Sequence, residues 1–217
     1  MNIFKALSEG NGRISETNIT SFLNYLLDSA NELNNSFFVL FAKLIDSQIE
    51  NNKICDLLDI NDKSIREQII NISDNYTVSS EPEYSIKNLD GRKQIPDILL
   101  RISSKRTEED IAFIIIENKI SKSAIKKGQI EKQYEYFTKS EDYDESKTVY
   151  SILITPDEKI YEQLYRPAIE KNIRAIWLKW VNHSDNENSI ESILRNLIKH
   201  EQNSDIEPID PNTQFIT

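Results

Sequence analysis

Two apolar runs with charged ends constrain this chain more than any other feature. Ile95-Pro96-Asp97-Ile98-Leu99-Leu100 and Ile114-Ile115-Ile116-Glu117-Asn118-Lys119-Ile120 flank Ser103-Ser104-Lys105-Arg106-Thr107-Glu108-Glu109-Asp110, which contains no apolar residue. Short apolar runs bounded by a polar segment read as a β-hairpin with a long turn. A turn centred near Arg106 or Thr107 sets Asp97 opposite Glu117 or its neighbour. Side chains alternate along a strand, so Glu117 and Lys119 point the same way, roughly 7 Å apart. Asp97, paired in this way, can share that face. Three charged residues at the ends of greasy strands need a chemical reason, because unpaired buried charge is costly.

Metal-dependent phosphodiester cleavage supplies such a reason. Two carboxylates suit a hard cation such as Mg²⁺, for which Mn²⁺ can substitute, and which keeps waters for substrate. Lys119 can orient or deprotonate an attacking water, or stabilise charge developing on phosphorus. The pattern resembles the PD-(D/E)XK nuclease superfamily, carried here by Pro96-Asp97 and Glu117-Asn118-Lys119. The resemblance implies a DNA-cleaving hydrolase acting in defence, restriction or repair. It makes Asp97 and Glu117 metal ligands, joined by the main-chain carbonyl of Asn118, and Lys119 the water-activating residue.

Two further segments extend the resemblance. Glu16 opens a helix whose stripe is Ile19, Leu23 and Leu27, and it borders the buried face, from which a carboxylate can reach the metal. An acidic side chain also suits any first helical turn. Glu16-Thr17-Asn18, Ser21-Phe22-Leu23 and Leu26-Leu27-Asp28 look like the start of a branch of small bacterial and phage-type nucleases. Later, Gln129-Ile130-Glu131-Lys132-Gln133-Tyr134-Glu135-Tyr136-Phe137 resembles a Gln-x-x-x-Tyr element that some branches place beside the site. Counted from Gln129, the aromatic place holds Gln133; counted from Gln133, it holds Phe137. Gln129 is the preferred site glutamine, a positioner of water or substrate. Leu153-Ile154-Thr155-Pro156, Ile176-Trp177 and Glu207-Pro208-Ile209-Asp210 carry the likeness thinly to the end, with Trp177 and Trp180 read as core or rim packing.

Periodicity outlines the rest. Gly10-Asn11-Gly12 reads as a turn, and Ser15 or Thr17 can cap the first helix, which runs to about Ser29. Helices follow from about Ser36 to Glu50 and Ser64 to Ile72, then strands near Tyr76–Ile86, Gln94–Ile102 and Ile111–Ile120. The Asn88-Leu89-Asp90-Gly91 turn joins the first two strands, since Asp-Gly is a strong hairpin signal. A helix over Ser123–Thr138, a strand over Val149–Thr155, a helix over Glu158–Asn172, a strand over Arg174–Leu178 and a helix over Ser189–His200 complete the chain. The fold class is α/β: a mixed sheet flanked by helices, with extra N-terminal helices. This order matches the restriction-endonuclease-like αβββαβ core that the resemblance implies. One domain over 1–217 is expected, with a helical region over 1–74, a sheet core over 75–180, and a terminal helix and tail over 181–217.

Composition narrows the chemistry. The lone Cys55, the absence of a signal-like start and the lack of a membrane-length apolar run are features of a soluble cytoplasmic protein. One cysteine with His183 and His200 forms no zinc pattern, and four glycines leave no phosphate-cradling loop for a nucleotide cofactor. The net charge of −10 opposes nucleic-acid binding in general. Basic residues nevertheless cluster locally: Lys87, Arg92 and Lys93 before Asp97, and Lys119, Lys122, Lys126, Lys127 and Lys132 after it. DNA is the expected partner, a homodimer is compatible, and no membrane is involved. The alternative is a non-catalytic binding or assembly module that keeps the nuclease fold.

Overall fold

The computed structural model describes residues 16–28, 32–61, 63–87, 93–120, 126–140, 143–171, 173–181 and 189–206. The expected turns at Gly10–Gly12 and Asn88–Gly91, and Ser15, Arg92, Lys122, Ser123, His183 and the Glu207–Asp210 tail, lie outside them.

Helices lead the chain. α1 (Glu16–Leu27) buries Ile19, Leu23, Leu26 and Leu27, a stripe with helical spacing. α2 (Glu32–Asp46) buries Phe37, Phe38, Phe41, Leu44 and Ile45. It stops four residues short of the expected Glu50, and Asp46 explains why. The Asp46 carboxylate accepts hydrogen bonds from the N–H groups of Ile54 (2.7 Å) and Cys55 (2.8 Å), which open the short α3 (Ile54–Leu57). Removing this buried acceptor orphans two donors, so Asp46→Ala is expected to cost about 2–3 kcal/mol in denaturant unfolding, and Asp46→Asn less. α4 (Ile65–Asn75) begins at a capping box in which Ser64 N–H donates to Glu67 Oε2 at 2.8 Å.

Strand β1 (Tyr76–Pro82) follows α4 directly. The sequence pattern predicts a strand running on to Ile86, but proline has no ladder donor and Glu83 takes a left-handed φ of 51°. The chain therefore leaves the sheet at Pro82. β2 (Ile86–Lys87) and β3 (Lys93–Gln94) instead form their own two-stranded ladder. The segment holding the Asp-Gly turn thus joins β2 to β3, not β1 to the strand carrying Leu99. The remaining strands are β4 (Ile98–Ser104), β5 (Asp110–Asn118), β6 (Thr148–Thr155) and β7 (Ala175–Lys179).

The main sheet has the order β1-β4-β5-β6-β7, antiparallel from β1 to β5 and parallel from β5 to β7. The β4–β5 hairpin turns over Lys105, Arg106 and Thr107, as its polar composition requires. β5 is buried from Ala112 through Asn118 because helices cover both faces, which is why it reads as an unbroken apolar run. Two parallel steps need crossovers, supplied by α5 (Gln129–Phe137) and by a 3₁₀ turn (Lys159–Tyr161) leading into α6 (Glu162–Glu170). α5 starts six residues later than expected, because Gly128 adopts a left-handed φ of 74°. α7 (Ile190–Gln202) closes the fold beside α2.

Sheet parity divides the core. Ile98, Leu100, Ile114 and Ile116 pack with α1, α2 and α7. Leu99, Phe113 and Ile115 pack with Phe137 of α5, while Leu153 and Ala175 pack with Ile130 of α5 and Leu164 of α6. The result is a mixed α/β fold with one five-stranded sheet flanked by helices. Among the described residues, no helix is long and apolar enough to cross a membrane.

Candidate functional site

The cluster sits where the antiparallel and parallel halves of the sheet meet. Ile98 pairs with Ile116, so Asp97 and Glu117 continue the register side by side on the α5 face. Asp97 is fixed from behind: Asn118 N–H donates to its Oδ2 at 2.7 Å, and its own carbonyl accepts Glu83 N–H at 3.0 Å. Lys119 lies one residue past β5, where its N–H still reaches Ile154 O at 2.9 Å. Its side chain turns back into the cluster.

The Lys119 ammonium is the centre of the arrangement. It bonds Glu117 Oε1 directly and lies 3.8 Å from Asp97 Oδ2, 3.7 Å from Glu16 Oε1 and 3.3 Å from the Asn118 carbonyl. Glu16 arrives from the start of α1, on the other face of the sheet, and its Oε1 also accepts Ile120 N–H at 3.3 Å. The four charged residues expected from the sequence therefore meet at one point.

Gln129 and Gln133 both belong here. Gln129 Nε2 donates to Glu117 Oε1 and Gln133 Nε2 to Glu117 Oε2, each at 2.6 Å. Sequence counting offered them as alternatives, but a spacing of four puts both on one helical face. Each oxygen of Glu117 thus has its own amide donor, which holds the carboxylate plane.

A second network ties the site to the core. Asn118 is fully buried, its amide donating to Thr20 Oγ1 at 3.2 Å and its Oδ1 accepting Trp180 Nε1–H at 2.9 Å. Thr20 and Trp180 escaped the sequence reading as neighbours of the site. The one signal was Trp180 itself, since a buried indole N–H has to find an acceptor.

The electrostatics follow from burial. Burial pushes the pKa of Glu117 up and the nearby Asp97 charge pushes it further, against the pull of Lys119 and the Gln133 amide. Burial likewise raises Asp97, more than Lys119 and the Asn118 N–H lower it. Burial alone would lower Lys119, but the Glu117 and Asp97 charges outweigh it and raise its pKa. When ionised, three carboxylates around one ammonium leave two negative charges uncompensated.

Among the described residues, no three acidic, histidine or cysteine side chains stand ready-made to hold a metal ion. The ammonium occupies the middle of the carboxylates. The donor chemistry nevertheless fits a hard dication, with two carboxylates on one face and the Asn118 carbonyl gathered around the same ammonium. Admitting the ion requires Lys119 Nζ to swing aside on its flexible stem. A groove of about 670 Å³ between α2 and α7, lined by Lys43, Ser47, Arg195 and Lys199 among others, includes none of the cluster residues. Compared with family models, with curated proteins and with solved structures, the chain has no match.

Proposed function

We propose that this chain is a PD-(D/E)XK-type nuclease that hydrolyses DNA phosphodiester bonds with Mg²⁺ or Mn²⁺, in defence, restriction or repair within the cytoplasm. One observation carries the reading: Asp97, Glu117 and Glu16 surround Lys119 with the charge deficit of one divalent cation. The order α1, β1, β4, β5, α5, β6 supports the restriction-endonuclease-like core within the observed sheet.

In this reading Asp97, Glu117 and the Asn118 carbonyl hold the ion, with Glu16 as a supporting ligand. A bound dication would draw charge from a phosphate oxygen and make a water more acidic. Lys119, displaced from the carboxylates, directs its N–H groups at the attacking water or at the phosphate as charge builds there. Gln129 and Gln133, each donating to one oxygen of Glu117, hold its carboxylate plane in place. Water adds to phosphorus and gives up a proton to solvent, one ester P–O bond breaks, and the leaving oxygen takes a proton from solvent. The alternative module reading draws support from the closed ion-pair cluster, which is already partly neutralised by its own lysine.

Purified protein incubated with plasmid, linear and single-stranded DNA separates the two. Cleavage is expected with Mg²⁺ or Mn²⁺ and none with a chelator. An ion at a hundred times its dissociation constant stabilises the folded state by roughly 2.7 kcal/mol, about 5–10 °C in Tm for a chain of this size. No cleavage and identical melting with and without metal would leave the binding module.

A further inference from the structure

Lysines outside the carboxylate cluster form a second feature that the fold does not explain. The β2–β3 ladder has only two residue pairs, and one of them sets Lys87 directly opposite Lys93. Like charges facing each other across a ladder destabilise it, and a two-stranded ribbon has little stability to spare. Both lysines are exposed and have no ion-pair partner among the described residues. The ladder packs on α5, where Ile86 joins Leu99, Phe113 and Phe137 in one apolar cluster. At the start of α5 and along it, Lys126, Lys127 and Lys132 are also exposed and without an ion-pair partner among the described residues. A chain with net charge −10 thus keeps five exposed lysines with no ion-pair partner among the described residues on, or just before, two elements that touch.

Their position gives them a use. β3 leads through Ile95 and Pro96 to Asp97, and α5 begins at Gln129, bonded to Glu117. Each element therefore ends at the cluster, so the lysines flank the approach to it. A polyanion laid along this surface relieves the Lys87–Lys93 repulsion that the protein alone tolerates.

We infer that the β2–β3 hairpin and α5 form a cationic surface that grips the phosphodiester backbone of DNA and feeds it to the cluster, an inference that rests on the nuclease reading. Lysines act as hydrated point charges, without the fork that reads guanine bidentately. Tyr84, Tyr134 and Tyr136 nearby are half-buried and packed against Phe137 and Leu99, not presented as stacking platforms. The grip therefore reads phosphate and is indifferent to base sequence.

Binding of a fluorescent DNA duplex by the full chain, in chelator to prevent cleavage, tests this. Lys87→Glu/Lys93→Glu and Lys126→Glu/Lys127→Glu should each weaken binding about tenfold or more and lower the salt slope of log affinity by about 2, near 0.9 per lost phosphate contact. Lys105→Glu/Arg106→Glu, with the same charge change at the opposite end of the β4–β5 hairpin, should bind like wild type. Lys87→Glu alone turns the repulsive pair into an attractive one, so it should melt no lower than wild type while still binding DNA more weakly. That separates a lost grip from a lost fold. Wild type that binds and cleaves DNA while all variants bind equally would overturn the surface and leave the nuclease. Equal losses in the control pair would also overturn it, as a mere net-charge effect. A surface that grips DNA as described in a protein that never cleaves would stand while the nuclease reading fell.

Discussion

Lys119→Ala is expected to lose about 10²–10⁴-fold in DNA cleavage, the usual contribution of a positioned proton-transfer group, and to melt lower only without metal. Lys119 is 6% exposed, and its ammonium serves Glu117, Asp97 and Glu16 together. Removing one partner of a buried ion pair leaves uncompensated charge, at a cost of about 3–5 kcal/mol. The wild-type contribution is fully present below the ordinary lysine value of 10.5 and is lost as pH rises from there through the raised pKa of the folded state. Divalent metal should more than recover the loss, because the cation no longer competes with an ammonium for the same oxygens. Lys119→Ala should therefore show a larger Mg²⁺-induced rise in Tm than wild type. Asp97→Ala is expected to lose both cleavage and the metal-induced rise, since on the proposed reading it deletes a ligand. In metal-free protein it relieves repulsion with Glu117. A Lys119→Ala protein that melts far lower and gains nothing from Mg²⁺ or Mn²⁺, beside a wild type that never cleaves, would reduce Lys119 to a structural ion-pair partner.

Asn118→Leu is the second large effect, and it falls on the fold. Leucine keeps the volume but leaves the Trp180 indole N–H and the Thr20 hydroxyl without the amide that meets them. An orphaned buried donor costs about 1–3 kcal/mol, so a loss of about 3 kcal/mol is expected in denaturant unfolding. Trp180→Phe removes the same donor from the other side. The double variant should cost clearly less than the two single losses added together. Simple additivity within about 0.5 kcal/mol would show that the Asn118–Trp180 contact contributes nothing. The Asn118 main chain makes the result relevant to the site, because its N–H orients Asp97 and its carbonyl faces Lys119.

Much of this arrangement was determined locally and was therefore legible in the sequence. A strand has period two, so a polar turn near Arg106 obliges Asp97 and Glu117 to share a face, as the Ile98–Ile116 register has them. The stripe of Ile19, Leu23 and Leu27 sets one face of α1 and with it the border on which Glu16 stands. The Ser64-x-x-Glu67 spacing marks the start of α4 because capping is a matter of four consecutive residues. Other features depended on pieces brought together from afar. The strand from Tyr76 reads as continuous to Ile86, yet Pro82 and the left-handed Glu83 divert it, and Ile86 finds a better apolar partner in α5 than in the sheet. The two glutamines looked like alternatives on paper; only the height of α5 above β5, set by Gly128 and by Ile130 and Phe137 in the core, lets both reach one carboxylate. Likewise Asn118, Thr20 and Trp180 share no sequence pattern, being 98 and 62 residues apart, and are joined by the burial of an indole that requires an acceptor. Periodicity and local hydrogen bonding thus decided which face each charged residue takes. Long-range packing decided that Glu16, Asp97, Glu117 and Lys119 meet at one point, because only a folded core overcomes the cost of gathering three carboxylates.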